Sequence, residues 1–274
     1  MTDRYAVIGH PVAHSRSPEI HAAFARATAQ AMTYERLLAP LDGFHVAVDA
    51  FRASGARGAN VTLPFKLEAY RYANELTERA RQAGAVNTLK FDGARILGDN
   101  TDGVGLCRDI VNNLKVPLVG ARILLIGAGG AAHGVIGPLL SAGPQQVAIT
   151  NRTFSKADEI ARHFSSLGPV KAIRLEDLAT ENFDILINAT SASLAGNLPP
   201  VPESCLQPGV LAYDMMYGKG QTPFMALAHA AGARTEDGLG MLVEQAAEAF
   251  FVWRGVRPAT ASVIAQLRAQ LRST

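Results

Sequence analysis

The chain has 274 residues, 48% hydrophobic and 18% charged, with a formal net charge of +2. That length allows two ordinary domains, and so small a net charge gives no field for nucleic acid or a membrane surface. No apolar run reaches the eighteen or so residues of a membrane span, and Cys107 and Cys205 have neither metal-ligand nor redox spacing.

The first hundred residues alternate between short apolar runs and helical patterns, which predicts an α/β sheet. Tyr5–Ile8 reads as a strand, and Ser17-Pro18 opens a helix to about Gln30, with Ser17 as N-cap and Pro18 as first helical residue. A strand follows near Tyr34–Leu38, a helix near Phe44–Ser54, a half-buried strand over Ala59–Leu63 and a helix near Lys66–Ala73. Val86–Phe91 and Arg95–Gly98 form a hairpin around Asp92-Gly93.

A second α/β unit begins at Ala121. Ile123–Ile126 is continuously apolar, as in a strand buried on both faces. An apolar helix runs to about Ser141, and strands follow at Gln146–Thr150, Asp184–Asn188 and Val210–Met215. Helices near Leu239–Arg254 and Ala259–Leu271 close the chain, and the boundary between units lies between Asp102 and Ala121.

Four stretches carry chemistry. Gly127–Ala132 fits G-x-G-x-x-A between a strand and a helix, the pattern that holds a dinucleotide pyrophosphate against a helix N-terminus. At the tip of the next strand, where an NAD site carries an acidic residue, stand Asn151-Arg152-Thr153 with Lys156 close behind. A guanidinium fork suits a 2′-phosphate, so the cofactor expected is NADP. His14-Ser15-Arg16-Ser17 offers two hydroxyls at a helix start, either as a plain capped helix or as a carboxylate site. Gly98-Asp99-Asn100-Thr101-Asp102-Gly103 ends the first unit; Asp99 reads as a turn residue, while Asp102 at the boundary can form a proton-transfer dyad with Lys66, the lysine delivered by the Pro64 turn. The histidines form no metal cluster; His14 and His21, seven apart, read as packing, and no metal is assigned.

Nine blocks in order give the chain its resemblance: YAVIGHPVAHSRSP, GANVTLPFK, GAVNT, GDNTDG, LLIGAGGAA, TNRT, INATS, DMMYGKGQTPF and DGLGMLVEQAAEAF. Together they resemble shikimate dehydrogenases nearly end to end. The resemblance implies a substrate domain over residues 1–102, completed by C-terminal helices over about 241–274. A Rossmann-type NADP-binding domain covers 103–240, with an active-site cleft between the two. It further implies a cytoplasmic enzyme, monomer or homodimer, that reversibly reduces 3-dehydroshikimate to shikimate in aromatic amino-acid synthesis. By position, Ser15 and Ser17 hold the substrate carboxylate, and Thr62, Asn87, Tyr217 and Gln245 contact or frame the ring. Lys66 and Asp102 are the catalytic pair. Gly127, Ala128, Gly129, Gly130 and Ala131 cradle the pyrophosphate, and Asn151, Arg152, Thr153 and Lys156 surround the 2′-phosphate. Met215 and Gly238 lie near the nicotinamide, and Glu78 lies near the cofactor. Two positions depart from the common pattern: His133 replaces a frequent arginine and Ser193 a frequent glycine. The competing expectations are a quinate/shikimate enzyme with relaxed cofactor use, a non-catalytic NADP or shikimate sensor, and a folate dehydrogenase, which leaves HSRSP and NTDG together without a purpose.

Overall fold

The structure, a computed structural model, describes residues 2–192 and 196–273 and divides into two compact units. One comprises Met1–Gly105 with Val243–Val263, the other Leu106–Leu242 with Ile264–Thr274.

The first unit is built on six strands: β1 (Asp3–Gly9), β2 (Met32–Leu38), β3 (Gly58–Val61), β4 (Glu75–Leu76), β5 (Thr88–Asp92) and β6 (Arg95–Asp99). They lie in the order β2-β1-β3-β5-β6-β4. β1 pairs in parallel with β2 and β3, whereas β5 runs antiparallel to both β3 and β6. The hairpin turn falls at Gly93-Ala94, where Gly93 takes a φ of 59°. Consequently the carboxyl ends of β1, β3 and β6 and the amino end of β5 all emerge at one edge of the sheet. Ser15 and Ser17 follow β1, Thr62 and Lys66 follow β3, Asp102 follows β6, and Asn87 immediately precedes β5.

Helix α1 (Ser17–Ala27) packs by spacing: Ser17, Ile20, His21, Phe24 and Ala25 are buried, a stripe at i, i+3, i+4, i+7 and i+8. Helices α2 (Phe44–Ala53) and α3 (Lys66–Tyr72) bury Phe44, Val48, Phe51 and Ala69 with Ala6, Ile8, Ala59, Val61 and Leu89 of the strands. A short helix, α4 (Glu78–Ala83), starts at Thr77, whose hydroxyl accepts from the Ala80 amide. Asp99, expected only to make a turn, is instead an anchor. Buried at 2% exposure, it accepts two hydrogen bonds from Arg79, one from the Thr77 hydroxyl and one from the Asn100 amide. Arg79 also reaches Glu248, which ties 243–263 into this unit.

The second unit carries β7 (Arg122–Ile126), β8 (Gln146–Thr150), β9 (Val170–Ala172), β10 (Ile185–Asn188), β11 (Leu211–Asp214) and β12 (Arg234–Asp237). The order is β12-β11-β10-β7-β8-β9, and every neighbouring pair is parallel. Alternate side chains of a strand point to opposite faces. Ile123 and Leu125 accordingly join the cluster of α6 (Gly130–Ser141) and α7 (Phe154–Phe164), while Leu124 and Ile126 join the cluster that includes Phe224 and Ala228 of α8 (Pro223–Ala230). A parallel sheet with helices on both faces and the strand order reversing between β7 and β10 is the doubly wound, Rossmann-type arrangement.

The sequence reading omits β9, β12, α7 and α8. It places all of 241–274 with the first unit, yet Ile264–Thr274 groups with the second. The physical tie is Arg268 of α10 (Ala261–Ser273), which bonds Glu236 at 2.6 Å and Asp237 at 2.7 Å. No helix among the described residues is long and apolar enough to cross a membrane.

One glycine of DGLG is fixed by contact. The chain tightens to a π-turn at Asp109–Asn113, and the buried Asp109 carboxylate accepts the Tyr213 hydroxyl at 2.6 Å. A Cβ on Gly240 would stand 2.0 Å from Asp109 Oδ1. Gly240→Ala is expected to lower unfolding stability by roughly 2–3 kcal/mol, the range of overpacking. Urea denaturation checks this; an unchanged midpoint would contradict it.

Candidate active site

In the first unit the strand β3 ends at Val61, the chain turns through Thr62–Phe65, and Lys66 opens α3. Asp102 opens α5 (Asp102–Arg108) after β6. Lys66 Nζ donates to Asp102 Oδ2 at 2.5 Å, with side-chain exposures of 29% and 15%. The pair is therefore shielded but reachable from solvent. The other carboxylate oxygen, Oδ1, accepts from Asn87 Nδ2 at 2.7 Å. Two donors on separate oxygens fix the rotation of the carboxylate, which in turn aims the ammonium.

Asn87 is itself held. Its Oδ1 accepts from the Thr101 amide at 2.9 Å and from the Thr88 hydroxyl at 2.8 Å, and its Nδ2 also donates to Thr101 Oγ1. Gln245 of α9 (Leu239–Arg254) accepts from Asn87 and Thr101 at 3.5 and 3.4 Å. That approach requires Gly105, whose Cβ would sit 2.7 Å from Gln245 Cβ. Thr62, Lys66, Asn87, Asp102 and Gln245 thus belong to one unit, and hydrogen bonds join all of them except Thr62. Thr62 packs its methyl group against Gly9, where a Cβ would lie only 2.4 Å away.

The HSRSP stretch corrects the sequence reading. The N-cap of α1 is Arg16, not Ser17, and no side chain caps it. Ser17 stands inside the first turn, and its amide donates to Ser15 Oγ at 3.3 Å. Ser15 Oγ donates to Ser17 Oγ at 3.2 Å. Neither hydroxyl caps the helix, so the plain capped helix is not what this stretch builds. Arg36 holds the turn from outside, donating to Ser15 O at 2.6 and 3.0 Å.

Sequence reasoning missed Tyr34, Asn60 and His21. Asn60 is only 7% exposed and makes hydrogen bonds with Tyr34, His21, Asn87 and Thr88. The available signal was a polar residue in the middle of the otherwise buried strand GANV. His21, read as packing, is fully buried between the rings of Tyr34 and Phe250, and burial pushes its pKa down to about 3. Glu78 faces solvent with its side chain 71% exposed, bonded to Arg81 and Gln82.

In the second unit the expected cofactor residues all follow the carboxyl ends of parallel strands, where open α/β sheets hold nucleotides. Gly127 follows β7 with φ 112°, and a Cβ there would lie 2.9 Å from Thr190. Gly129 caps α6 without any side chain, leaving the first-turn amides open, and a Cβ at Gly129 or Gly130 would meet nothing within 4 Å. Bare amides at a helix start beside free space fit a pyrophosphate. After β8, Asn151 Nδ2 donates to the Thr153 carbonyl and shapes the turn. Arg152 and Lys156 are exposed and make no ion pair among the described residues. Two uncommitted cations with no carboxylate partner fit a 2′-phosphate.

His133 does not add a third cation. Burial and the neighbouring His163 both lower its pKa, and its ring packs about 6 Å from His163 and Phe164 of α7. Ser193 lies outside the described residues. Beyond β10 and β11, Asp214 collects Asn188, Thr222 and the Met216 amide, which pins the loop holding Met215 and Tyr217. Gly238 is needed there, since a Cβ would fall 2.2 Å from Met215 O. Cys107 and Cys205 are free thiols, and burial pushes Cys107 up to about 12, which suits packing. Among the described residues no group of acidic, histidine or cysteine side chains is placed to hold a metal.

Comparison with known proteins agrees across nearly the whole length. Residues 7–89 match the model for the shikimate dehydrogenase substrate-binding domain, 109–195 that for shikimate/quinate 5-dehydrogenase, and 238–268 that for the shikimate 5′-dehydrogenase C-terminal domain. A shikimate dehydrogenase (NADP(+)) of Dechloromonas aromatica is 60% identical over 272 residues, covering 99% of each chain. Among solved structures, an Ael1 enzyme from Pseudomonas putida superposes with a TM-score of 0.94 at 50% identity, covering 97% of this chain and 98% of the other. Shikimate 5-dehydrogenase from Thermus thermophilus, solved with NADP(H) and shikimate, gives 0.87 at 33% identity over 98% and 99%. The chain belongs to the shikimate dehydrogenase family.

Proposed function

We propose that Lys66 and Asp102 carry the proton half of the NADP-dependent interconversion of 3-dehydroshikimate and shikimate. The observation behind this reading is the 2.5 Å contact between Lys66 Nζ and a carboxylate whose other oxygen is held by Asn87. As a family member the protein is an NADP-dependent oxidoreductase. NADPH, when bound, supplies the hydride for the carbonyl carbon. The chain's own residues must then prevent charge from building on the carbonyl oxygen. A Lys66 ammonium donates a proton to that oxygen as it becomes the hydroxyl, and in the reverse direction the neutral amine takes the proton back. The Asp102 carboxylate orients the ammonium and stabilises its charge. Fixing both groups in advance places the proton donor without reorganisation in the reaction step.

In this reading Ser15 and Ser17 hold the substrate carboxylate, and Thr62, Asn87, Tyr217 and Gln245 meet the ring. A ring bearing several hydroxyls suits a wall of amide and hydroxyl groups, because an analogue lacking one hydroxyl leaves a partner unpaired. Gly127–Ala131 receive the pyrophosphate, and Arg152 with Lys156 favours NADP over NAD. Glu78, exposed and paired with Arg81, takes no part in the proton transfer.

For Lys66→Ala, kcat is expected to fall about 10²-fold or more, the lower range for a lost general acid, with KM for shikimate changed far less. Steady-state kinetics at the NADPH absorbance band checks this, and near-normal kcat would remove the lysine from the reaction. For Arg152→Ala, KM for NADP is expected to rise on the order of tenfold while KM for NAD stays constant, as for one lost charge-assisted hydrogen bond. Equal changes for both cofactors would reject the 2′-phosphate role.

A further inference from the structure

Asn60 lies within β3, and its neighbours Gly58, Ala59 and Val61 are all buried with it. An amide enclosed in this way is costly unless it is hydrogen-bonded. It has two lone pairs on oxygen and two hydrogens on nitrogen, and all four are used. The Tyr34 hydroxyl donates to Oδ1 at 2.7 Å and His21 Nε2 donates to it at 3.2 Å. Nδ2 in turn donates to Thr88 Oγ1 at 3.1 Å and to the Asn87 carbonyl at 3.3 Å. Asn60 and Thr88 face each other in register across β3 and β5.

These bonds have a direction. An amide oxygen only accepts, so His21 carries its hydrogen on Nε2, while its Nδ1 is buried without a partner. Burial pushes the His21 pKa down to about 3, which keeps the ring neutral with that one hydrogen near neutral pH. With its oxygen claimed by donors from α1 and β2, the Asn60 amide presents only hydrogens to β5. Thr88 Oγ1 accepts one of them and gives its own single hydrogen to Asn87 Oδ1 at 2.8 Å. The Thr101 amide donates to the same Oδ1 at 2.9 Å. Asn87 is thereby turned so that Nδ2 meets Asp102 Oδ1 at 2.7 Å. Turned over, its amide would set oxygen against carboxylate oxygen, and the bond that fixes the rotation of Asp102 would become a repulsion.

We propose that Asn60 is a positioning residue for the Lys66–Asp102 pair: through Thr88 it sets which way the Asn87 amide faces, and Asn87 orients the carboxylate that aims the Lys66 ammonium. Asn60 bonds to neither Lys66 nor Asp102 and acts only through that amide. Its second bond, to the Asn87 carbonyl, holds a backbone group that the Val61 amide already holds at 2.8 Å, so the route through Thr88 is the one that orients the side chain. This inference rests on the reading of Lys66 and Asp102 as the proton-transferring pair.

Two near-isosteric variants test it. Asn60→Asp keeps an oxygen for Tyr34 and His21 but replaces the amide hydrogens with a second acceptor, which draws the Thr88 hydrogen away from Asn87. Thr88→Val removes the relaying hydroxyl alone. The assay is single-turnover oxidation of saturating shikimate by NADP with the full-length protein, comparing wild type, each single variant and the double variant. Each single change is expected to slow the rate constant about tenfold, the value of one hydrogen bond, with KM for shikimate changed far less. The double variant is expected to be no slower than the slower single one, because both changes act on the same amide. A merely structural role would lower the amplitude, which counts active molecules, and leave the rate constant alone. Rate constants within about twofold of wild type, or losses that multiply in the double variant, would overturn the inference. Emission of Trp253, the single tryptophan, whose ring lies 5.2 Å from that of His21, reports whether each variant folds. Where Asn60→Asp does not fold, Thr88→Val decides by the same criterion. A Lys66→Ala protein with near-normal turnover would instead remove the pair itself, and this inference with it.

Discussion

The first unit's chemistry depends on how one carboxylate is held. Asp102 is bonded from two sides, by Lys66 on Oδ2 and by Asn87 on Oδ1, so neither group can turn without losing a short hydrogen bond. The holding continues backward: Asn87 is fixed by Thr88 and Thr101, and Thr88 by Asn60. A polar network this far from bulk water is useful only if its members are satisfied, since each unpaired group costs about as much as a good hydrogen bond gives. Here the amide of Asn60 meets that condition on all four of its positions.

The sheet explains why residues so distant in sequence can share that network. β3 and β6 run in the same direction with antiparallel β5 between them, so the ends that lead to Lys66 and Asp102 flank the start of the strand that follows Asn87. Asn60 pairs with Thr88 in register across β3 and β5, which brings their side chains within reach. In the second unit a different rule acts. All strands are parallel, so Gly127, Asn151, Asn188 and Met215 come to one edge simply by following strands that end together.

Much of this was legible in the sequence, for identifiable reasons. Gly127–Ala132 was readable because backbone geometry dictates residue type there, and Ile123–Ile126 because burial on both faces leaves no polar position. Strand-to-helix alternation gave the α/β class. The Ser17 cap was misread because Ser-Pro satisfies the local rule for a helix start, whereas the N-cap falls one residue earlier, at Arg16, and the Ser17 hydroxyl meets that of Ser15 instead of a first-turn amide. Asp99 was misread for the same reason: an Asn/Asp/Gly-rich stretch has turn chemistry, and nothing local announces Arg79. Amphipathic periodicity shows that a face of the final helix is buried but not against what, so its placement with the first unit came from the resemblance alone; the ion pairs of Arg268 tie it to the second unit. Charge at a site is equally nonlocal, as His133 shows: the ring is kept neutral by burial and a second histidine from the next helix.

The central claim is that an amine at residue 66 moves the proton. Chemical rescue tests it most directly: the Lys66→Ala protein is assayed for shikimate oxidation over a range of ethylamine concentrations at constant pH and ionic strength. The expected result is a rate that climbs with the concentration of free amine and falls back when the amine is replaced by a quaternary ammonium salt of similar size. A rate indifferent to ethylamine, or one raised equally by the quaternary salt, would contradict the proton-transfer role of Lys66.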